Sequence, residues 1–186
     1  MKNNKLVLYR RKREGRTNYK KRLTLLKGRT PRLVIRKTNN QVITQIVEYF
    51  PDGDKILVSA SSSALKKLGW NYSCKNMPAC YLAGFLLGKK AQDKKVSGAI
   101  VDFGLQSNIP GSKLYAVVQG AKDAGLEIPV GEEVLPKKER LTGKHISDYY
   151  SKGAGDAQFS KYRKENVDPA KLANDLEALK KKIAGK

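Results

Sequence analysis

The stretch PRLVIRKTNNQVITQIVEYFPDGDKILVSA, residues 31–60, decides the fold. Leu33 and Ile35 alternate with Arg32, Val34 and Arg36, the period of two that marks a strand with unlike faces. Asn39-Asn40 is a turn signal, and the run that follows, Gln41 to Phe50, is rich in β-branched residues suited to a pleated surface. Pro51-Asp52-Gly53-Asp54 turns the chain again, and Lys55 to Ala60 makes a third strand. Short connections join antiparallel neighbours, so the three strands form a meander. The first strand is expected near an edge, with a basic outer face.

Downstream, Ser61-Ser62-Ser63 is expected to cap a short helix over Ala64 to Leu68 that Gly69 ends. Asn76 caps a longer helix with Pro78 in its first turn, and Ala79, Leu82, Ala83, Leu86 and Leu87 form its buried stripe. Val96 to Phe103 reads as a buried strand, and Gly104 to Gly111 as a polar loop. Ser112 caps a further helix in which Leu114, Val117, Val118 and Ala121 pack inward, ended by Gly125. Leu126-Glu127-Ile128-Pro129 is a short last strand. The order is three antiparallel strands, helix, strand, helix, strand. It predicts an α/β fold, a three-layer sandwich with a mixed sheet in ribonuclease H-like core order. Fold of itself fixes no function. Beyond Val130, Gly131 to Arg140 is a charged linker and Thr142 to Tyr150 is helical. Asp168-Pro169 opens a C-terminal helix to about Ile183, with Leu172, Leu176 and Leu179 as its stripe. The chain thus divides into a basic arm with a short helix (1–30), a core (31–130) and a helical C-terminal extension (131–186).

Upstream of the strands the charge is one-sided. Residues 1–38 hold fifteen of the 38 Lys and Arg and a single acid, Glu14, so they carry +14 of the formal +21. Such a stretch needs a polyanion, and the partner class is nucleic acid. Residues 1–15 lack a hydrophobic period and are expected to be extended or disordered until they meet RNA phosphates. Tyr9 precedes Arg10-Arg11-Lys12-Arg13, where an aromatic can stack on a base while guanidinium groups bond phosphates. From Thr17, as cap, a short helix is expected to end at Gly28. Tyr19, Leu23 and Leu26 lie on its docking face, and Lys20, Lys21, Arg22 and Lys27 lie around the rest.

Other chemistries fare poorly. The longest apolar stretch, Tyr81 to Leu87, is too short to cross a bilayer, and no signal peptide precedes the arm. Cys74, Cys80 and the single His145 fall short of a four-ligand zinc set, so reduced thiols are expected. Asp102 stands where a metal-dependent nuclease would place a carboxylate, but it has no evident partner, and the first strand supplies none. Asp52 and Asp54 read as turn formers. Asp102-Phe103-Gly104 spells a kinase metal-binding tripeptide without the rest of that signature. No catalysis, metal, cofactor or small-molecule substrate is expected. A general nucleic-acid chaperone remains a competing reading.

Several stretches carry a specific resemblance. They are residues 16–27, 31–37, 51–54, Leu68-Gly69-Trp70, 76–84, 102–105, 110–113 and 120–125. In this order the chain resembles the universal large-subunit protein eighteen family of ribosomal proteins, in its archaeal and eukaryotic branch. The resemblance implies a cytoplasmic, structural role in the central protuberance of the large subunit. There such proteins hold 5S rRNA against large-subunit rRNA, beside the neighbouring 5S-binding large-subunit protein five. On that basis the expected RNA contacts are Arg10, Arg11, Lys12, Arg13, Arg16, Tyr19, Lys20, Arg22, Lys27, Arg29, Arg32, Arg36 and Lys37. A second set, Asn108, Ser112 and Lys113, lies where a polar loop meets a helix N-terminus.

Overall fold

The computed structural model describes residues 6–153 and 157–185. The strands β1 (Arg32–Lys37), β2 (Val42–Glu48) and β3 (Lys55–Ser61) form the expected antiparallel meander. Register puts the apolar sets on one face: Leu33 lies opposite Ile46, Ile35 opposite Thr44, and Ile46 opposite Val58. All are buried, and Thr44 satisfies its hydroxyl by donating to the Ala60 carbonyl.

A fourth strand, β4 (Ile100–Asp102), runs parallel to β1, with Leu33 beside Val101 and Val34 beside Asp102. The sheet order is therefore β3-β2-β1-β4. This corrects the expected edge position of β1, which is interior because the helical crossover returns the chain to its free side. The strand expected over Val96 to Phe103 shrinks to three residues. The expected last strand is a single parallel bridge from Gly98 to Glu127, beyond which Pro129 has no N–H to continue a ladder.

The crossover is α3 (Met77–Asp93), capped by the Asn76 side chain, which accepts from the Ala79 N–H. It lies on the apolar sheet face with α4 (Lys113–Asp123). These two helices meet backbone to backbone. Gly84 faces the Val117 peptide and Gly120 faces the Tyr81 peptide, so no Cβ separates the axes there. That approach draws the helix layer into one buried cluster with Leu33, Ile35 and Trp70. Both thiols are buried and free, and burial pushes Cys80 up to about 12.

The helical segment after residue 131 differs in detail from expectation. Gly143, at φ +82°, divides it into α5 (Lys138–Thr142) and α6 (Lys144–Ser151), and α7 (Ser160–Lys164) follows. Asp168 caps a turn over Pro169–Lys171 that leads into α8 (Leu172–Ala184). Leu172, Leu176, Leu179 and Ile183 are buried in the same cluster as the sheet, as α8 lies along α3. No helix among the described residues is long and apolar enough to cross a membrane.

Candidate nucleic-acid interface

From Leu6 onward the arm is more ordered than its composition suggests; residues 1–5 of the stretch expected to be extended lie outside the described residues. Arg10–Arg13 forms one helical turn, α1, where an extended chain was expected. Glu14 explains it: its carboxylate takes Arg10 and Arg16, both at 3.2 Å, and so relieves the repulsion within the run. Arg11 donates to the Thr17 hydroxyl at 2.8 Å, which leaves Asn18 as the cap of α2 (Tyr19–Lys27). Asn18 accepts from the Lys21 N–H. Tyr9 packs on Tyr19 with ring centroids 5.1 Å apart, so part of its aromatic surface is already covered.

Helix α2 lies across the sheet face opposite α3 and α4. Its placement departs from expectation. Leu23 points to solvent at 59% exposure, and no residue of the helix is buried. Tyr19, Arg22, Leu25 and Leu26 are the half-buried positions, so of the expected docking residues only Leu23 faces away. The docking side is rotated because Arg22 has a stronger partner than Leu23 could find. Its guanidinium donates twice to Asp54, at 2.8 and 2.7 Å. Such a paired contact fixes both distance and rotation.

Asp54 is in turn part of a chain of alternating charge. Arg32 donates to Asp54 at 2.6 Å and to Asp102 at 3.0 Å. Arg36 donates to the Ile35 and Asp102 carbonyl oxygens and lies 4.0 Å from the Asp102 carboxylate. The other Asp102 oxygen accepts from the Gly104 N–H at 2.7 Å. Gly104, at φ +63°, lies against the Arg36 guanidinium, where a Cβ would strike it. The Asp102-Phe103-Gly104 tripeptide thus has a structural cause: the acid pairs with β1 and the glycine admits Arg36. Asp102 has the partner that its sequence context did not reveal. Hydrogen bonding to Arg22, with Arg32 adding to it, holds the Asp54 carboxyl below its ordinary value against the opposing effect of burial. The matching bond from Asp54 raises Arg22.

Arg22 and Arg32, expected as RNA contacts, are therefore committed within the protein, and Arg32 is only 2% exposed. Asp54, read from sequence as a turn former, is the residue that reasoning missed. The signal was present: an acid in a strongly basic surface, directly before a strand, calls for a cation.

Between the arm and the open sheet face lies a groove of about 550 Å³. Arg11, Arg16, Tyr19, Lys21 and Arg36 line it above a floor that includes Val34, Val47 and Ile56. Lys12, Arg13, Lys20, Lys27, Arg29 and Lys37 are exposed, and among the described residues no carboxylate pairs with them. At the other candidate, Asn108 accepts from the Tyr115 hydroxyl, so its oxygen is engaged. Ser112 precedes α4 without a side-chain cap bond, and its hydroxyl is buried and unpartnered among the described residues. Lys113 is half-buried.

A family model described as ribosomal large subunit proteins 60S L5 and 50S L18 matches residues 4–98. The large ribosomal subunit protein uL18 of Korarchaeum cryptofilum (strain OPF8) is 40% identical over 182 residues, covering 96% of this chain and 93% of that protein. The chain belongs to the uL18 family of large-subunit ribosomal proteins. As a uL18 family member it is a structural, rRNA-binding component of the large ribosomal subunit, a cytoplasmic particle of translation. The span matched by the family model includes the arm, the β1–β3 meander and α3, and with them Arg22, Arg32 and Asp54.

Proposed function

We propose that this chain binds 5S rRNA and anchors it to large-subunit rRNA in the central protuberance, beside the neighbouring large-subunit protein five. The observation that carries the reading is the series of exposed, unpaired cations from α1 through α2 to the end of β1. Lys12, Arg13, Lys20, Lys27, Arg29 and Lys37 meet phosphates. Arg10, Arg11, Arg16, Tyr19 and Arg36 line or flank the groove beside them. Asn108, Ser112 and Lys113 stand as a second, weaker contact at the start of α4, where a helix N-terminus favours an anion.

In this reading residues 1–30 are the RNA-binding arm, 31–130 the core and 131–186 a supporting extension. The core is read as ribonuclease H-like in order and layered, with α2 set over part of the face opposite α3 and α4 and the groove over the open remainder. Nuclease chemistry is disfavoured, since the Asp102 carboxylate is already held by Arg32 and the Gly104 N–H. The work is assembly: cations displace counterions from folded RNA, and recognition follows RNA shape more than base identity.

The test is titration of the full chain with 5S rRNA, in the presence of duplex DNA, over a range of salt. Neutralising eight or so phosphates gives a slope of log affinity on log salt of about −6 to −7, and the double variant Lys12→Ala, Arg13→Ala flattens it by about 1.5. Equal affinity for duplex DNA, or a slope near zero, would refute the proposal.

A further inference from the structure

We infer that Asp54 is a positioning residue for the arm: pinned to the sheet by Arg32, its carboxylate grips Arg22 and sets α2 in one orientation over the open sheet face. The benefit for RNA binding rests on the 5S reading above; the docking of α2 does not.

Helix α2 has little else to hold it. A nine-residue helix is marginal in water, and this one contains Lys20, Lys21, Arg22 and Lys27 without an acid. It buries no residue. Its polar ties to the core, among the described residues, are the double bond from Arg22 to Asp54 and a longer one from Lys21 to the Gly104 carbonyl at 3.3 Å. The anchor itself is rigid, because Arg32 is buried and spans Asp54 and Asp102. Arg22 is also flanked by the free cation Lys20, so fixing its rotation fixes the direction in which its neighbours point.

The placement of an acid here runs against simple electrostatics. Asp54 repels phosphate, so a face selected for charge alone would be better without it. A carboxylate that orders four helical cations contributes more than the one unit it removes. Affinity scales with the fraction of molecules already in the binding-competent form. Arg22 and Arg32 therefore act on RNA through the helix they hold.

Two full-length variants separate these effects. Asp54→Asn raises the formal charge one unit above +21, and Arg22→Lys leaves it unchanged. Hydrogen exchange without RNA reads the docking. In both variants α2 amides exchange about tenfold faster while β1 and β2 amides keep their protection, and 5S affinity falls about tenfold. Retained protection of the sheet shows that each variant is folded. Unchanged α2 exchange would overturn the inference, as would tighter 5S binding by Asp54→Asn with Arg22→Lys unaffected. If the unaltered chain showed no preference for 5S rRNA over duplex DNA, the 5S reading would fail, and the exchange data alone would decide the role of Asp54.

Discussion

Replacing Gly84 with alanine sets two physical effects against each other. In an isolated helix the change stabilises by about 1 kcal/mol, because alanine loses less backbone freedom. In this protein the new Cβ would stand 2.8 Å from the Val117 carbonyl carbon and 3.0 Å from its Cα, with the oxygen nearer still. Ordinary contact starts at 3.4 Å, and the obstacle is backbone that no rotamer change can move. Helices α3 and α4 must part by more than the 0.6 Å that the carbonyl carbon alone demands, since the oxygen is nearer. A gap of about 0.5–1 Å forfeits a quarter to a half of the dispersion well at each contact along the seam. Overpacking of this kind costs about 3 kcal/mol, so the net loss is about 2 kcal/mol. For a chain of this size that lowers Tm by about 4–8 °C. The assay is thermal unfolding followed by fluorescence of the buried Trp70, with Gly131→Ala as a control that meets nothing within 4 Å. A Tm for Gly84→Ala that is unchanged or higher would refute the reasoning.

Other expectations follow from the charge chain and the arm. Asp102→Ala leaves the buried Arg32 with one carboxylate and lowers stability by about 3 kcal/mol, read as a shifted denaturant midpoint. A chain beginning at Thr30 keeps cooperative unfolding, since the buried cluster starts at Leu33, and loses only about 1–2 kcal/mol with the Arg22 pair and the half-buried leucines; a broad, non-cooperative melt would contradict this. Because Asp54 has a depressed pKa in the folded chain, its contribution is full above the ordinary value of 3.8 and is lost as pH falls through the lower, folded one. NMR of α2 amides across that range should show the helix docked at pH 3.8 and released only below it. Release at higher pH would mean that the pair does not hold it.

The local patterns were legible and the long-range pairings were not. Alternation placed Leu33 and Ile35 inward, and Asn76 declared the start of α3, because both are short-range signals. Thr17 was misplaced because its hydroxyl is taken by Arg11, and Leu23 because a guanidinium at position 22 found an acid at 54; no period along α2 can reveal either. The same limit hid the role of Arg32. A run of basic residues reads as uniformly available to RNA until the distant carboxylates that claim some of them are known. The Val96 to Phe103 run reads as a full strand in sequence, but only Ile100–Asp102 lies opposite β1, and the residues before it make a single bridge to Glu127.

The seat of α8 has a consequence for quality control during synthesis. Leu172, Leu176, Leu179 and Ile183 close a core whose other walls are made far earlier in the chain. A polypeptide interrupted before residue 172 would carry the full cationic arm yet leave apolar surface of α3 uncovered. Such a fragment could engage RNA while remaining visible to chaperones and proteases that read exposed hydrophobic surface. Closure of the core therefore waits on α8, although its other walls are made much earlier in synthesis.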